Sequence, residues 1–358
     1  MADVHEARRA RLRVLIARLG ADAALITQLV NVRYLTGFSG SNGALLITAD
    51  SATFVTDGRY ETQAAEQAPD VDVLVDRELL RAVATSAVRS MVRCLAFEDH
   101  HLTVAAHASL VSMPGGLSLL PLGDAVESLR AVKDETEIAT LRAACSTTAA
   151  AYTAMLEHVR PGMSERAIAW LLEDHMRDHG AEGPAFETIV ASGPNGGRPH
   201  HRAGDRVISG GDLVTCDFGA KVDGYHADMT RTFAVGRADD WQREVYGVVA
   251  AAQEAGRTAV AVNAGCREVD AAARAVVEAT AYAGRFVHGL GHGVGLEIHE
   301  APWLGQTANG SLMLRNTVTI EPGVYLPDRG GVRIEDTVVV RDEAAEVLTQ
   351  SARELIIV

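Results

Sequence analysis

The sequence predicts a mixed α/β (α+β) protein: a small N-terminal α/β domain, then a larger domain built from two related halves. Three observations lead there. The chain has 358 residues, enough for two domains at about 150 residues each. Proline and glycine concentrate in "SMPGGLSLLPLGD", residues 112 to 124, which places a boundary there and gives domains 1–122 and 123–358. Beyond it the order helix, helix, strand pair occurs twice, a repeat of element order that marks two halves packing their sheets together.

Taken in order, the chain opens with a helix near residues 5 to 19 and continues with "AALITQLVNVRYLTGF", "GALLIT" and "ATFVTDGRY", read as short strands between turn residues. After the boundary, "SLRAVKDETEIATLRAACSTTAAAYTAMLEHV" carries apolar residues at helical spacing and stops at Pro161-Gly162. Ser164 is a candidate N-cap for a second helix reaching His179. Strands follow at "DLVTCDFGA" and "YHADMTRTFAV", joined by the turn "KVDG". The second half repeats the order: helices at "WQREVYGVVAAAQEAGRTAVA" and "REVDAAARAVVEATAYA", then strands at "TVTIEPGVYL" and "GGVRIEDTVVV".

Composition narrows the function classes. At 47% hydrophobic and 22% charged, with no apolar run long enough for a bilayer, the chain reads as soluble, and no membrane partner is expected. A net charge of −14 argues against nucleic acid, whose phosphates need a basic surface. Cys94, Cys145, Cys216 and Cys266 are scattered without a C-x-x-C pair, so neither a zinc cluster nor a disulfide framework is indicated. Reduced thiols and an N-terminus that reads as a surface helix rather than a signal peptide make cytoplasmic the expected location.

The most unusual stretch is "GRFVHGLGHGVGLEIHE", residues 284 to 300. His288 and His292 could be two ligands one helical turn apart. Gly289, Gly291, Gly293 and Gly295 oppose that, each costing a helix about 1 kcal/mol against alanine. The run reads instead as a strand with one bare face and His288, Leu290, His292, Val294 and Leu296 on the other. Glycine-lined strands mark close approach to the backbone, and a third histidine, His299, follows. A single histidine is more often a satisfied core residue; three on one segment point to a site.

Four acids lie where strands should be. Asp217 sits inside "LVTCDFGA", Asp228 shares a face with Thr230 and Thr232, Glu321 closes "TVTI", and Glu335 shares a face with Arg333 and Thr337. Acids are disfavoured in strands and rarely buried without partners. One such residue is an ion pair or an edge position; four, paired one pair per half, converge if the halves face each other. Repulsion would then protonate some of them unless cations intervene. Two divalent ions would balance the four charges, with His292 as a fifth ligand group, more than one tetrahedral zinc uses. The oxygen-rich set points to Mn²⁺ before zinc and leaves Co²⁺, Fe²⁺ and Zn²⁺ open.

The segments "CDFGAKVDGYHADMTRTF", "HGLGHGVGLEIHE", "TIEPGVY" and "GVRIEDTVVV", with "VRYLTGFSGSNGALLIT" and "TDGRYETQAAEQ" upstream, make the chain resemble the pita-bread metallopeptidases. The resemblance is to the proline-selective branch containing aminopeptidase P and Xaa-Pro dipeptidase, with its creatinase-like N-terminal domain. It implies cleavage of Xaa-Pro bonds in proline-containing peptides, and a homodimer. It makes Asp217 a ligand of one metal, Asp228 and Glu335 bridges, and His292 with Glu321 ligands of the other metal. "ASGPNGGRPHH" matches the segment whose histidine faces the scissile nitrogen, and the spacing from Asn195 selects His200 over His201. His288 and His299 match two further substrate-facing histidines, His299 donating to the developing oxyanion, and Arg333 an arginine beside the bridging glutamate. Arg198 departs from the small or apolar residue usual at its position. The alternatives on this scaffold are a metal-independent creatinase-like hydrolase, a non-catalytic binding protein and a methionine aminopeptidase.

Overall fold

The computed structural model describes residues 2–358 and divides into two compact units, Met1–Arg130 and Ala131–Val358. The first is a mixed six-stranded sheet in the order Asp72–Val75, Ala52–Thr56, Ala44–Thr48, Ala23–Ile26, Cys94–Phe97, Ser118–Pro121. One expected strand is a helix here: only Ala23–Ile26 of "AALITQLVNVRYLTGF" is extended, and Leu29–Thr36 is helical. Val32 and Leu35, three apart, share its buried side, and Gly37 ends it in the left-handed region at φ 84°. The proline- and glycine-rich stretch lies before the helix Ala125–Ala131, which is tied into the first unit. Asn31 Nδ2 donates to Glu127 Oε1 at 2.6 Å, and Arg130 Nη1 donates to Asn31 Oδ1 at 2.8 Å.

The second unit contains the repeated order. The long helix expected from residue 128 to 159 is interrupted, and its main part is Glu135–His158. Asp134 caps it, accepting from Thr136 N at 3.0 Å and Glu137 N at 2.9 Å, while Glu137 Oε2 accepts from Asp134 N at 2.9 Å. This reciprocal box begins a new helix, so Lys133 and Asp134 lie between helices. Ser164 caps Glu165–Asp178 through Ala167 N, as expected. These two helices cover a sheet of Met229–Ala234, Leu213–Phe218 and Ile189–Ser192, around Met155, Leu172, Val190, Cys216 and Phe233. Helices Asp240–Ala259 and Cys266–Glu278 pack on Val249, Val269, Leu290, Ile320 and Val338, forming a second core. Its sheet runs Glu300–Leu304, Gly291–Gly293, Thr317–Ile320, Asp336–Val339, Glu346–Val347, beside the hairpin Gly323–Leu326 and Gly330–Arg333. No helix among the described residues is long and apolar enough to cross a membrane.

The glycine-rich run is extended over Gly291–Gly293 alone, with a bulge after His292. Close approach to its backbone is real, but neighbouring strands make it. A Cβ on Gly291 would overlap the carbonyl oxygen of Thr319, and one on Gly293 that of Ala301. Gly291→Ala should therefore lower unfolding free energy by about 1–3 kcal/mol or more. Gly247→Ala, on an open face of Asp240–Ala259, should raise it by up to about 1 kcal/mol. Urea titration of both variants checks the opposite signs.

Candidate active site

The acids sit where strands end. Asp217 is near the end of Leu213–Phe218 and pairs with Thr230; Asp228 immediately precedes Met229–Ala234. Glu321 follows Thr317–Ile320, and Glu335 lies between Gly330–Arg333 and Asp336–Val339. The two halves meet at these junctions. Glu335 N donates to Thr230 O at 3.1 Å, Thr230 Oγ1 to Glu335 Oε2 at 2.7 Å, and Thr337 Oγ1 to Asp228 O at 2.9 Å. Threonine hydroxyls thus fix the backbone of Asp228 and one carboxylate oxygen of Glu335.

His292 arrives from the opposite sheet with its Nδ1 on Gly293 O at 3.0 Å, so that nitrogen carries the proton and Nε2 presents a lone pair. The lone pair lies 3.6 Å from Asp228 Oδ2 and 3.4 Å from Glu321 Oε1. Asp228, His292 and Glu335, all buried, offer ligand atoms within 4.8 Å of one another. Asp217 Oδ1 and Glu335 Oε1 are buried without a hydrogen-bond partner. Acceptors face acceptors, and buried acceptors demand either protons or a cation.

The electrostatics record that demand. Burial, then Glu335, Asp217 and Glu321, push the Asp228 carboxyl well above the usual carboxylate range. Burial, with Glu321 and Asp217, does the same to Glu335. Glu321 is pushed up to about 8, mainly by burial. Burial lowers His292 to about 4, which keeps the imidazole neutral and able to ligate near neutral pH. The donor set therefore fits a divalent-cation centre of oxygen ligands plus one imidazole.

Arg333 and His288 belong to a relay beside these groups. Arg333 Nη2 donates to Asp217 Oδ2 at 2.6 Å, its Nε to Thr230 Oγ1 at 3.1 Å and its Nη1 to Tyr325 OH at 2.8 Å. Arg333 reaches Glu335 only through Thr230. His288 Nδ1 donates to Gly289 O at 2.8 Å, so its Nε2, 2.8 Å from Tyr325 OH, must accept the phenolic proton. Burial and Arg333 lower His288 to about 4. Both its ring nitrogens are thus engaged within the protein, unlike the substrate-facing histidine expected. Tyr325, which the sequence reading passed over, joins the two residues; an alternating buried tyrosine in "TIEPGVYL" gave no polar signal of its own.

His299 is exposed, its ring centroid 4.4 Å from that of His292, and Trp303 stacks beside it at 6.4 Å. Burial is the main cause lowering its pKa. His200 is exposed and close enough that its charge depresses both His288 and His299. His201 turns away: its Nε2 meets Glu165 Oε2 at 2.7 Å. Arg198 is exposed on the same loop.

Residues 139–342 match metallopeptidase family M24, and residues 8–132 match the creatinase/prolidase N-terminal domain. The chain belongs to metallopeptidase family M24. Its fold is accordingly a creatinase-type α/β domain followed by a pita-bread domain, and family membership implies divalent metal ions. The uncharacterized peptidase YqhT of Bacillus subtilis is 40% identical over 348 residues, covering 97% of this chain and 99% of that one. The structure of an Xaa-Pro dipeptidase from Bacillus anthracis superposes with a TM-score of 0.95 at 38% identity, covering 99% of this chain and 100% of that one. That of an X-Pro aminopeptidase from Thermotoga maritima has a TM-score of 0.91 at 34% identity, covering 98% and 99%. For an M24 site with raised carboxyls, a bound cation must displace protons. Affinity for Mn²⁺ or Co²⁺ should fall as pH drops below about 8, where Glu321 takes its proton. Calorimetry in two buffers at pH 7 should show proton release that shrinks at higher pH.

Proposed function

We propose that the protein hydrolyses Xaa-Pro bonds in proline-containing peptides with two divalent ions, Mn²⁺ the preferred metal. The observation that carries this reading is the imidazole lone pair of His292 facing carboxylate oxygens, with Asp217 and Glu335 keeping buried unpaired atoms. Asp217 would serve one ion, Asp228 and Glu335 both, and His292 with Glu321 the other. Two ions use all five groups; one tetrahedral ion does not. This complete set disfavours a metal-independent creatinase-like hydrolase.

When bound, the ions supply Lewis acidity and lower the pKa of water. The chain's own residues do the rest. His299, exposed next to His292, donates to the oxygen that gains charge as the carbonyl is attacked. His200 gives its proton to the scissile nitrogen as the C–N electron pair returns to it. An Xaa-Pro bond is a tertiary amide without N–H, so recognition cannot use that donor. His288, locked in its Nδ1–H form, holds Tyr325 and through it Arg333 against Asp217. The four cysteines are free thiols, which suits a cytoplasmic enzyme. Likeness to the proline-selective branch supports a homodimer.

Asp228→Ala and Glu335→Ala should each abolish Xaa-Pro hydrolysis and lose metal, measured as ions per chain. His292→Ala should also weaken metal binding. His288→Ala and His299→Ala should keep the metals, with the His299 variant losing about 3–4 kcal/mol of transition-state stabilisation. Equal metal loss in all three histidine variants would mean that their roles are divided wrongly.

Named relatives include both dipeptidases and aminopeptidases, so substrate length is the finer question. Arg198, two residues before His200, could bind the free carboxylate of a dipeptide through two parallel hydrogen bonds. Arg198→Ala should then raise KM for an Xaa-Pro dipeptide and leave an Xaa-Pro-Xaa tripeptide nearly unchanged. An equal change in kcat/KM for both, or none, removes Arg198 from substrate recognition.

A further inference from the structure

The loop that carries His200 is pinned on both sides of that residue, and one pin is a buried carboxylate outside the metal cluster. Glu165 is wholly buried at the start of its helix. Its Oε1 accepts from Ser192 N at 2.8 Å, Ser192 Oγ at 2.6 Å and Asn195 Nδ2 at 2.9 Å. Its Oε2 accepts from His201 Nε2 at 2.7 Å and Gly204 N at 3.3 Å. Burial opposes the charged carboxylate, but these hydrogen bonds overcome it and hold its pKa below the ordinary value. A carboxylate only accepts, so His201 must donate its Nε2 proton. The other pin is Pro199 O, which accepts from Arg333 Nη1 at 3.2 Å. The loop also lies tight on Gly330–Arg333, where a Cβ on Gly196 would come within 3.0 Å of Gly331 N. His200, between the two pins, is exposed and near enough to His288 and His299 for its charge to act on both.

We propose that Glu165 and His201 form a positioning pair that sets His200 against the leaving nitrogen of the substrate, an inference that rests on the proton-donor role given to His200 above. Neither residue touches the reacting atoms. Their action passes through the backbone of residues 199–201, and a displacement of about 1 Å in a catalytic group can cost on the order of 10²-fold in rate. An amide nitrogen must be protonated as it leaves, whereas the oxygen of an ester can depart without a proton. Loss of positioning should therefore be visible on amides and nearly absent on esters.

The test uses the metal-loaded full chain with two substrates, an Xaa-Pro dipeptide and the Xaa ester of 2-hydroxypentanoic acid, its open-chain analogue, since divalent oxygen cannot take the place of the ring nitrogen. His201→Ala removes one pin from a partly exposed loop; Glu165→Gln keeps the shape of the buried carboxylate and removes its charge. Metal content and Tm are measured for each. Each variant should lower kcat on the dipeptide by about 10- to 100-fold with KM nearly constant, and change ester turnover less than about twofold. In a His200→Ala background neither should add a further loss, since the residue they position is gone. Equal losses on amide and ester, or full additivity with His200→Ala, would overturn the positioning pair while leaving His200 its role. A His200→Ala variant with no amide-selective defect would overturn that role, and the pair with it.

Discussion

Everything in the catalytic unit is arranged around one electrostatic conflict: a neutral imidazole lone pair and carboxylate oxygens aimed at the same small volume. His292 Nε2 lies within 3.6 Å of both Asp228 Oδ2 and Glu321 Oε1. Such a cluster cannot persist charged in a buried site without counter-charge, because desolvation and mutual repulsion act together. Protons are one way to relieve it, and burial with the neighbouring carboxylates pushes the carboxyls in that direction. A divalent cation relieves it better, since one ion satisfies several oxygens and the lone pair at once. The site is therefore a place where binding energy of a metal is stored as unmet coordination.

The surroundings keep the conflict from collapsing the fold. Immediately after Glu335, Asp336 is wholly buried but answered by Arg231 at 2.7 Å, Gln253 Nε2 at 2.8 Å, Thr349 Oγ1 at 2.7 Å and Arg353. Burial works against its charge, yet Arg231 and Arg353 hold its pKa below the usual value. Arg231 also donates to the carbonyls of Thr230 and Glu335. Adjacent acids in one segment thus have opposite fates. Glu335 is left with an unpaired oxygen facing the site, while Asp336 is fully paired and anchors the segment that presents it.

Much of this was legible in the sequence, for definite reasons. Acids inside apolar strands violate local preference, so Asp217, Asp228, Glu321 and Glu335 stood out before their convergence could be seen. The helix pair and strand pair, occurring twice, predicted two related halves; that each half keeps a core of its own was not part of the expectation. What escaped depended on contacts distant in the chain. Leu29–Thr36 alternates enough to pass for a strand, and only the burial of Val32, Tyr34 and Leu35 together decides for a helix. Glycine's signal in residues 289–295 was right about close approach and silent about what approaches. Tyr325 and Glu165 escaped because each acts through partners at long sequence separation, His288 and Arg333 for the first and His201 for the second.

The relay from His288 to Asp217 gives the proposed site its net charge. Hydrogen-bond direction is fixed along its whole length: His288 Nδ1–H to Gly289 O, Tyr325 O–H to His288 Nε2, Arg333 N–H to Tyr325 O and to Asp217. A neutral, locked His288 adds no charge, and Tyr325 is pushed up to about 12, chiefly by burial, so it stays protonated. In the proposed two-ion arrangement the four carboxylates balance the metals, and Arg333 remains as the uncompensated positive charge. Burial opposes that charge, but Tyr325, Asp217 and Glu321 hold Arg333 ionised. A single excess positive charge in a buried site favours the anion that attacks a carbonyl and the oxyanion that results. The relay does this without offering a proton of its own, which in the proposed reaction leaves proton delivery to the exposed His200.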